Sequence, residues 1–93
     1  MDFEWDDDKA RINESKHGVS FAEASSVFGD PLAVTFDDPL HSDDEDRHLT
    51  IGLSAASRVV IVSHTDRGAA TRIISARVAS RGERKGYEHG NYP

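Results

Sequence analysis

The segment Val59-Val60-Ile61-Val62 constrains the chain more than any other. Successive side chains of an extended strand point to opposite faces, so Val59 and Ile61 lie on one side and Val60 and Val62 on the other. A strand that is apolar on both sides has to be covered on both sides, which places residues 58–65 in the middle of a sheet. The neighbouring segments supply strands to flank it. In 32–36 the side chains of Leu32, Val34 and Phe36 share a face; in 47–53 Leu49, Ile51 and Leu53 face one way while His48, Thr50 and Gly52 face the other. Residues 71–76 contain the β-branched pair Ile73 and Ile74, and Ser54-Ala55-Ala56-Ser57 and Asp66-Arg67-Gly68 are short turns. The pattern predicts an antiparallel meander of four strands, with the face that carries Thr50 the more open one.

Helices are expected before and after this sheet, giving the α+β class. Phe3-Glu4-Trp5 reads as a short strand or an anchoring arm. Asp6 is a candidate N-cap, Asp7 and Asp8 suit the positive end of the helix dipole, and Gly18 suits the left-handed residue after a helix ending near Lys16. Ser20 and Glu23 have the spacing of a capping box, opening a helix whose apolar stripe is Phe21, Ala24 and Phe28 with Val27 beside it. Gly29-Asp30-Pro31 ends that helix, because proline cannot continue the hydrogen-bond ladder. Ser80 and Glu83 form another such box and open a short terminal helix in which Tyr87 is the one large hydrophobe. One domain over residues 1–88 is expected, with 89–93 a disordered tail.

Charge is unevenly divided. Residues 1–50 hold 14 acidic against 4 basic side chains, net −10, and residues 51–93 hold 3 against 7, net +4. No apolar run approaches a membrane span, and the first residues are acidic rather than basic and then apolar, so a cytoplasmic location is expected. Cysteine is absent, which excludes disulfides, thiolate catalysis and a cysteine zinc site. The acidic stretch 37–46 reads as a solvated loop. A metal site built from His41, His48 and its carboxylates is the competing reading, disfavoured because the loop lacks the turn-forming glycine of an EF-hand.

Basic character is concentrated at the end of the last strand. Arg81, Arg84 and Lys85 fall on one side of the terminal helix, and Arg77 faces the same space from the strand. Four cations at one corner suit a polyanion such as RNA, or an acidic protein partner.

Several ordered motifs carry a family resemblance. Phe3-Glu4-Trp5-Asp6, Lys9, Asn13, Lys16-His17-Gly18-Val19-Ser20-Phe21, Glu23-Ala24, Val27-Phe28 and Asp30-Pro31 resemble the first half of the BrnT toxins. Thr50-Ile51-Gly52, His64-Thr65, Arg72-Ile73-Ile74-Ser75-Ala76-Arg77, Glu83-Arg84 and Tyr87-Glu88 resemble the second. The resemblance implies a RelE-like fold, a ribonuclease toxin of a type II toxin–antitoxin pair, and a BrnA-like antitoxin that carries the contact with operator DNA. It implies no cofactor and no metal.

Metal-free cleavage of RNA needs a base for the ribose 2′-OH, an acid for the 5′ oxygen, and cations for the charge that develops on phosphorus. Arg77, Arg81 and Arg84 are the candidate cations. His17 and Glu83 are the side chains best able to exchange protons. Lys9, Lys16, Lys85 and Tyr87 are the candidate RNA contacts. Each has a structural alternative: His17 beside Gly18 suits a helix C-terminus, Glu83 a capping box, Arg77 a salt bridge, Tyr87 a packing anchor and His64 a satisfied histidine on a central strand. A family member that only binds its antitoxin, and a small nucleic-acid-binding module, are the competing functions.

Overall fold

The computed structural model describes residues 1–38, 40 and 46–90. The helices form where the local signals place them. Asp6 accepts the backbone N–H of Lys9 at 3.0 Å and opens α1, Asp7–His17. Gly18, at φ 70°, closes it by donating its N–H to the Glu14 carbonyl at 2.8 Å. Ser20 caps α2, Phe21–Ser26, which tightens into a single 3₁₀ turn at Val27–Gly29. Only half of the expected box forms there. The Ser20 hydroxyl accepts the Glu23 N–H, but the Glu23 carboxylate accepts from the Ser54 hydroxyl at 2.7 Å and from the Arg58 guanidinium instead. Arg58, partnered in this way and donating also to the Gly18 carbonyl, holds the Glu23 carboxyl below its usual range and straps both helices to the β-sheet. No described helix is long and apolar enough to cross a membrane.

The sheet has five strands in the order β1-β5-β4-β3-β2, where β1 is Asp2–Glu4, β2 Val34–Asp37, β3 Arg47–Leu53, β4 Val59–Arg67 and β5 Ala70–Val78. β2 to β5 form the predicted antiparallel meander, and β4, built on the doubly apolar segment, lies in the middle. The fifth strand is the addition. Phe3-Glu4 joins the edge of the sheet parallel to β5, with Phe3 opposite Thr71, and the Glu4 carboxylate pairs with Arg72 at 2.8 Å.

Each face has its own apolar cluster. Val60, Val62, Ile73 and Ala76 pack under Val19, Phe21, Ala24 and Val27 of the helical layer. On the other face Ile51, Val59 and Ile61 gather Val34, Phe36, Leu49, Ala79 and Tyr87. The expectation about Thr50 is therefore reversed: Thr50 is buried, and its face is the one the first two helices cover. Two features make that possible. Gly52 lets the 3₁₀ turn approach, since a Cβ there would come within 2.9 Å of both Val27 and Ala33. The polar groups satisfy one another, with Thr50 Oγ1 2.7 Å from Thr35 Oγ1 and 2.7 Å from His64 Nε2.

His64 is only 6% exposed, lies edge-on to Phe28 at 4.9 Å, and has no partner for Nδ1 among the described residues. Burial, reinforced by His48, pushes its pKa from the ordinary 6.5 down to about 4. A histidine depressed in the folded state binds its proton more tightly once unfolded. Stability from keeping it neutral is present above pH ~6.5 and is lost as pH falls from there toward 4. Urea unfolding at pH 7 and pH 4.5 is expected to show a loss of about 2–3 kcal/mol from this group. A His64→Gln variant should lose much less over the same interval; equal losses in the two proteins would assign the effect to other groups.

Candidate active site

The face opposite α1 and α2 is incompletely covered. α3, Arg81–Glu88, crosses one end of it. Both halves of its capping box form: Ser80 Oγ accepts the Glu83 N–H at 3.2 Å, and Glu83 Oε1 accepts the Ser80 N–H at 2.8 Å. Tyr87 anchors the next turn by packing on the Ile51, Val59 and Ile61 cluster and donating its hydroxyl to Asp30. Asp30 is fixed in turn by the N–H groups of Leu32 and Leu53. Burial and the Asp30 carboxylate push the Tyr87 hydroxyl up to about 12. Tyr87, expected as an RNA contact, thus stands as the anchor of α3.

Glu83 has a second task. Arg77 donates to it through both terminal nitrogens, at 2.8 and 2.9 Å. That guanidinium, together with the Ser80 bonds, brings the Glu83 carboxyl down to about 2. So weak a base is a poor acceptor for a ribose proton, and the expectation that Glu83 exchanges protons gives way to a positioning role. The Arg77 side chain remains 47% exposed and within reach of a ligand.

Beyond α3 the open face forms a groove of about 370 Å³. Leu49 and Ile61 make its apolar floor, beside the backbone of Ala76, whose side chain faces the helices; Arg47, Ser63, Ser75 and Arg77 rise from β3, β4 and β5; His17 borders it from the end of α1, and Asp38 from the segment after β2. The register explains the convergence. Ser63 lies opposite Ser75 and Ile61 opposite Arg77, so two hydroxyls and an arginine project from the face that also holds Leu49. His17 and Ser75 also line an adjoining cavity of about 220 Å³ with Lys9 and Lys16. Together the two form a path with five basic side chains and an apolar floor.

The structure therefore unites His17 and Arg77, with Lys9 and Lys16 next to them, and separates them from the rest of the expected corner. Arg84 lines a different cavity, with Arg58, Val59, Val78 and Glu88. Arg81 and Lys85 are exposed on α3, and neither lines the groove. The reason is helical geometry: Glu83 and Tyr87, four residues apart, take the positions facing the sheet and turn the three cations outward. Arg47, Ser63, Ser75 and Asp38 were not foreseen. For Ser63 and Arg47 the signal was present, since each lies two residues along its strand from Ile61 or Leu49; for Ser75 the bulge between it and Ile73, which faces the helices, breaks the alternation. Among the described residues no three of His, Asp and Glu form a metal-binding group. His41 and the carboxylates of 43–45 lie outside the described residues, while His48 bonds Asp37 at 3.0 Å.

Comparison with known proteins bears on the family and the fold. Residues 5–83 match a family described as the ribonuclease toxin, BrnT, of type II toxin–antitoxin systems. The fold is similar to the 1.1 Å crystal structure of the Brucella abortus ribonuclease toxin BrnT, with a TM-score of 0.64 and 27% sequence identity over 87% of this chain and 99% of that one. No curated protein sequence matches.

Proposed function

The chain belongs to the BrnT ribonuclease toxins of type II toxin–antitoxin systems, and on that premise we propose that it is a metal-independent endoribonuclease that arrests growth and is neutralised by a BrnA-like antitoxin. The observation that carries this reading is the shared groove, in which His17, Arg47 and Arg77 border one apolar floor. A phosphodiester seated over Ser63 and Ser75 would meet two guanidinium groups, which suit the spread charge of a phosphorane better than a single ammonium.

The step assigned to the site is internal transfer. His17 removes the proton of the 2′-OH, the 2′ oxygen attacks phosphorus, and the bond to the 5′ oxygen breaks. The departing oxygen takes a proton from water in the open groove, and the hydroxide that remains is neutralised by the proton on His17, leaving a 2′,3′-cyclic phosphate, a 5′-hydroxyl and the histidine restored. Arg47 and Arg77 stabilise the negative charge between those events. Lys9 and Lys16 hold neighbouring phosphates, and contact with operator DNA belongs to the antitoxin. The cytoplasm, where RNA and ribosomes are found, is the proposed place of action.

The base and both cations this step requires are side chains, and its acid is water. The purified protein is therefore expected to cleave RNA at an undiminished rate with excess EDTA. Loss of cleavage on chelation, restored by a divalent ion, would overturn the assignment of charge stabilisation to Arg47 and Arg77. An intact substrate under both conditions would favour a family member that only binds its antitoxin.

A further inference from the structure

The cavity beside α1 carries a stripe whose central apolar residue RNA binding does not use. Lys9, Ile12 and Lys16 are spaced i, i+3 and i+7 on the helix, so they share a face, and all three are exposed. Ile12 is 65% exposed, although it stands between two lysines at the centre of this face. Its helix is held to the sheet by other residues, Asn13 buried and Ala10 packed against the core. Ile74 and Ser75 of β5 form the opposite wall, and His17 closes the end. No carboxylate lines this cavity.

We propose that the stripe is the docking surface for an acidic amphipathic segment of the antitoxin, one apolar side chain seated between Ile12 and Ile74 and carboxylates set against Lys9 and Lys16. It rests on the toxin–antitoxin reading above and adds where the partner sits. Charge complementarity selects the partner: three basic side chains with no lining carboxylate attract acidic groups, in a protein whose net charge is −6. Ile12 separates a peptide from RNA. A phosphate backbone gains nothing from an exposed isoleucine, and the one ring lining this cavity on which a base could stack, His17, is five residues from Ile12 and so off its stripe. A peptide laid here also covers His17 and Ser75, which border the groove, so docking and inhibition are one event.

The probe is the protein encoded by the open reading frame adjacent to this gene, titrated against the full-length chain. Ile12→Ser is expected to weaken binding at least tenfold, and Ile12→Leu to stay within threefold of wild type, with RNA cleavage by both unchanged. Hydrogen exchange in α1 is expected to slow in the complex. Wild-type affinity in Ile12→Ser would overturn the proposal. Cleavage lost from Ile12→Ser with antitoxin binding retained would also overturn it and assign the stripe to RNA. Failure of the wild-type chain to bind the adjacent gene product falls instead on the toxin–antitoxin reading, and removes the partner this surface needs.

Discussion

Arg77→Ala is expected to lower RNA cleavage by about 10²–10³-fold, the usual cost of removing one preorganised donor from developing negative charge, and to abolish growth arrest on induction. The far-UV circular dichroism spectrum should stay that of the wild type. Arg77 borders the groove and is nearly half exposed, so its removal leaves no buried hole. Glu83 loses its bidentate partner but keeps both bonds to Ser80, and its side chain is 23% exposed, so water replaces part of what is lost. Arg81→Ala is the internal control. That side chain lies on α3 outside the groove, and its loss is expected to change cleavage by less than about threefold, the effect of a distant surface charge. Full activity in Arg77→Ala would remove Arg77 from the stabilisation of charge on phosphorus. Equal losses in both variants would return the chemistry to α3.

Asn13→Ala is expected to have the largest effect on stability. The Asn13 amide donates to the carbonyls of Val19 at 3.0 Å and Ala76 at 2.9 Å, and its carbonyl accepts the Ala76 N–H at 3.1 Å. β1 reaches only as far as Arg72 along that edge of β5, so Asn13 supplies for Ala76 the pairing that a neighbouring strand would have provided. The side chain is 6% exposed, and its truncation strands three buried backbone groups. At about 1–3 kcal/mol for each group left unsatisfied, with partial relief by entering water, the expected loss is about 3–5 kcal/mol. Urea unfolding should show the midpoint falling with the slope unchanged. A loss below about 1 kcal/mol would mean that water replaces the amide almost fully.

Signals carried within a few residues were legible in the sequence. Asp6, Gly18 and the Ser80–Glu83 box act over three or four positions, and the faces of β3 and β4 follow from alternation alone. What escaped depends on partners far along the chain. Glu23 has capping spacing, yet Arg58, 35 residues away, offers it a charge and draws the carboxylate off Ser20. Nothing local in the sequence points from Asn13 to its partner Ala76, 63 residues away. The site divided in the same manner. His17 and Arg77 could be named from the chemistry of their side chains, whereas Arg47, Ser63 and Ser75 join them in one groove only through the pairing of β3, β4 and β5. Arg84 was misplaced because the sequence does not reveal which side of an almost wholly polar helix turns inward.

The parallel pairing of β1 with β5 bears on how the protein comes into being. Among the described strands, β1, the earliest in the sequence, has only β5, the latest, for a neighbour, since β5 stands between β1 and β4. Phe3 must await Thr71, and α1 must await Ala76. Contacts so distant in sequence are slow to form because a long loop has to close before they repay its entropy. On a growing chain the earlier helices and strands emerge without the strand that carries Arg77. The groove consequently cannot assemble step by step during translation. It is complete only when β5, which carries Ser75 and Arg77, has joined β4.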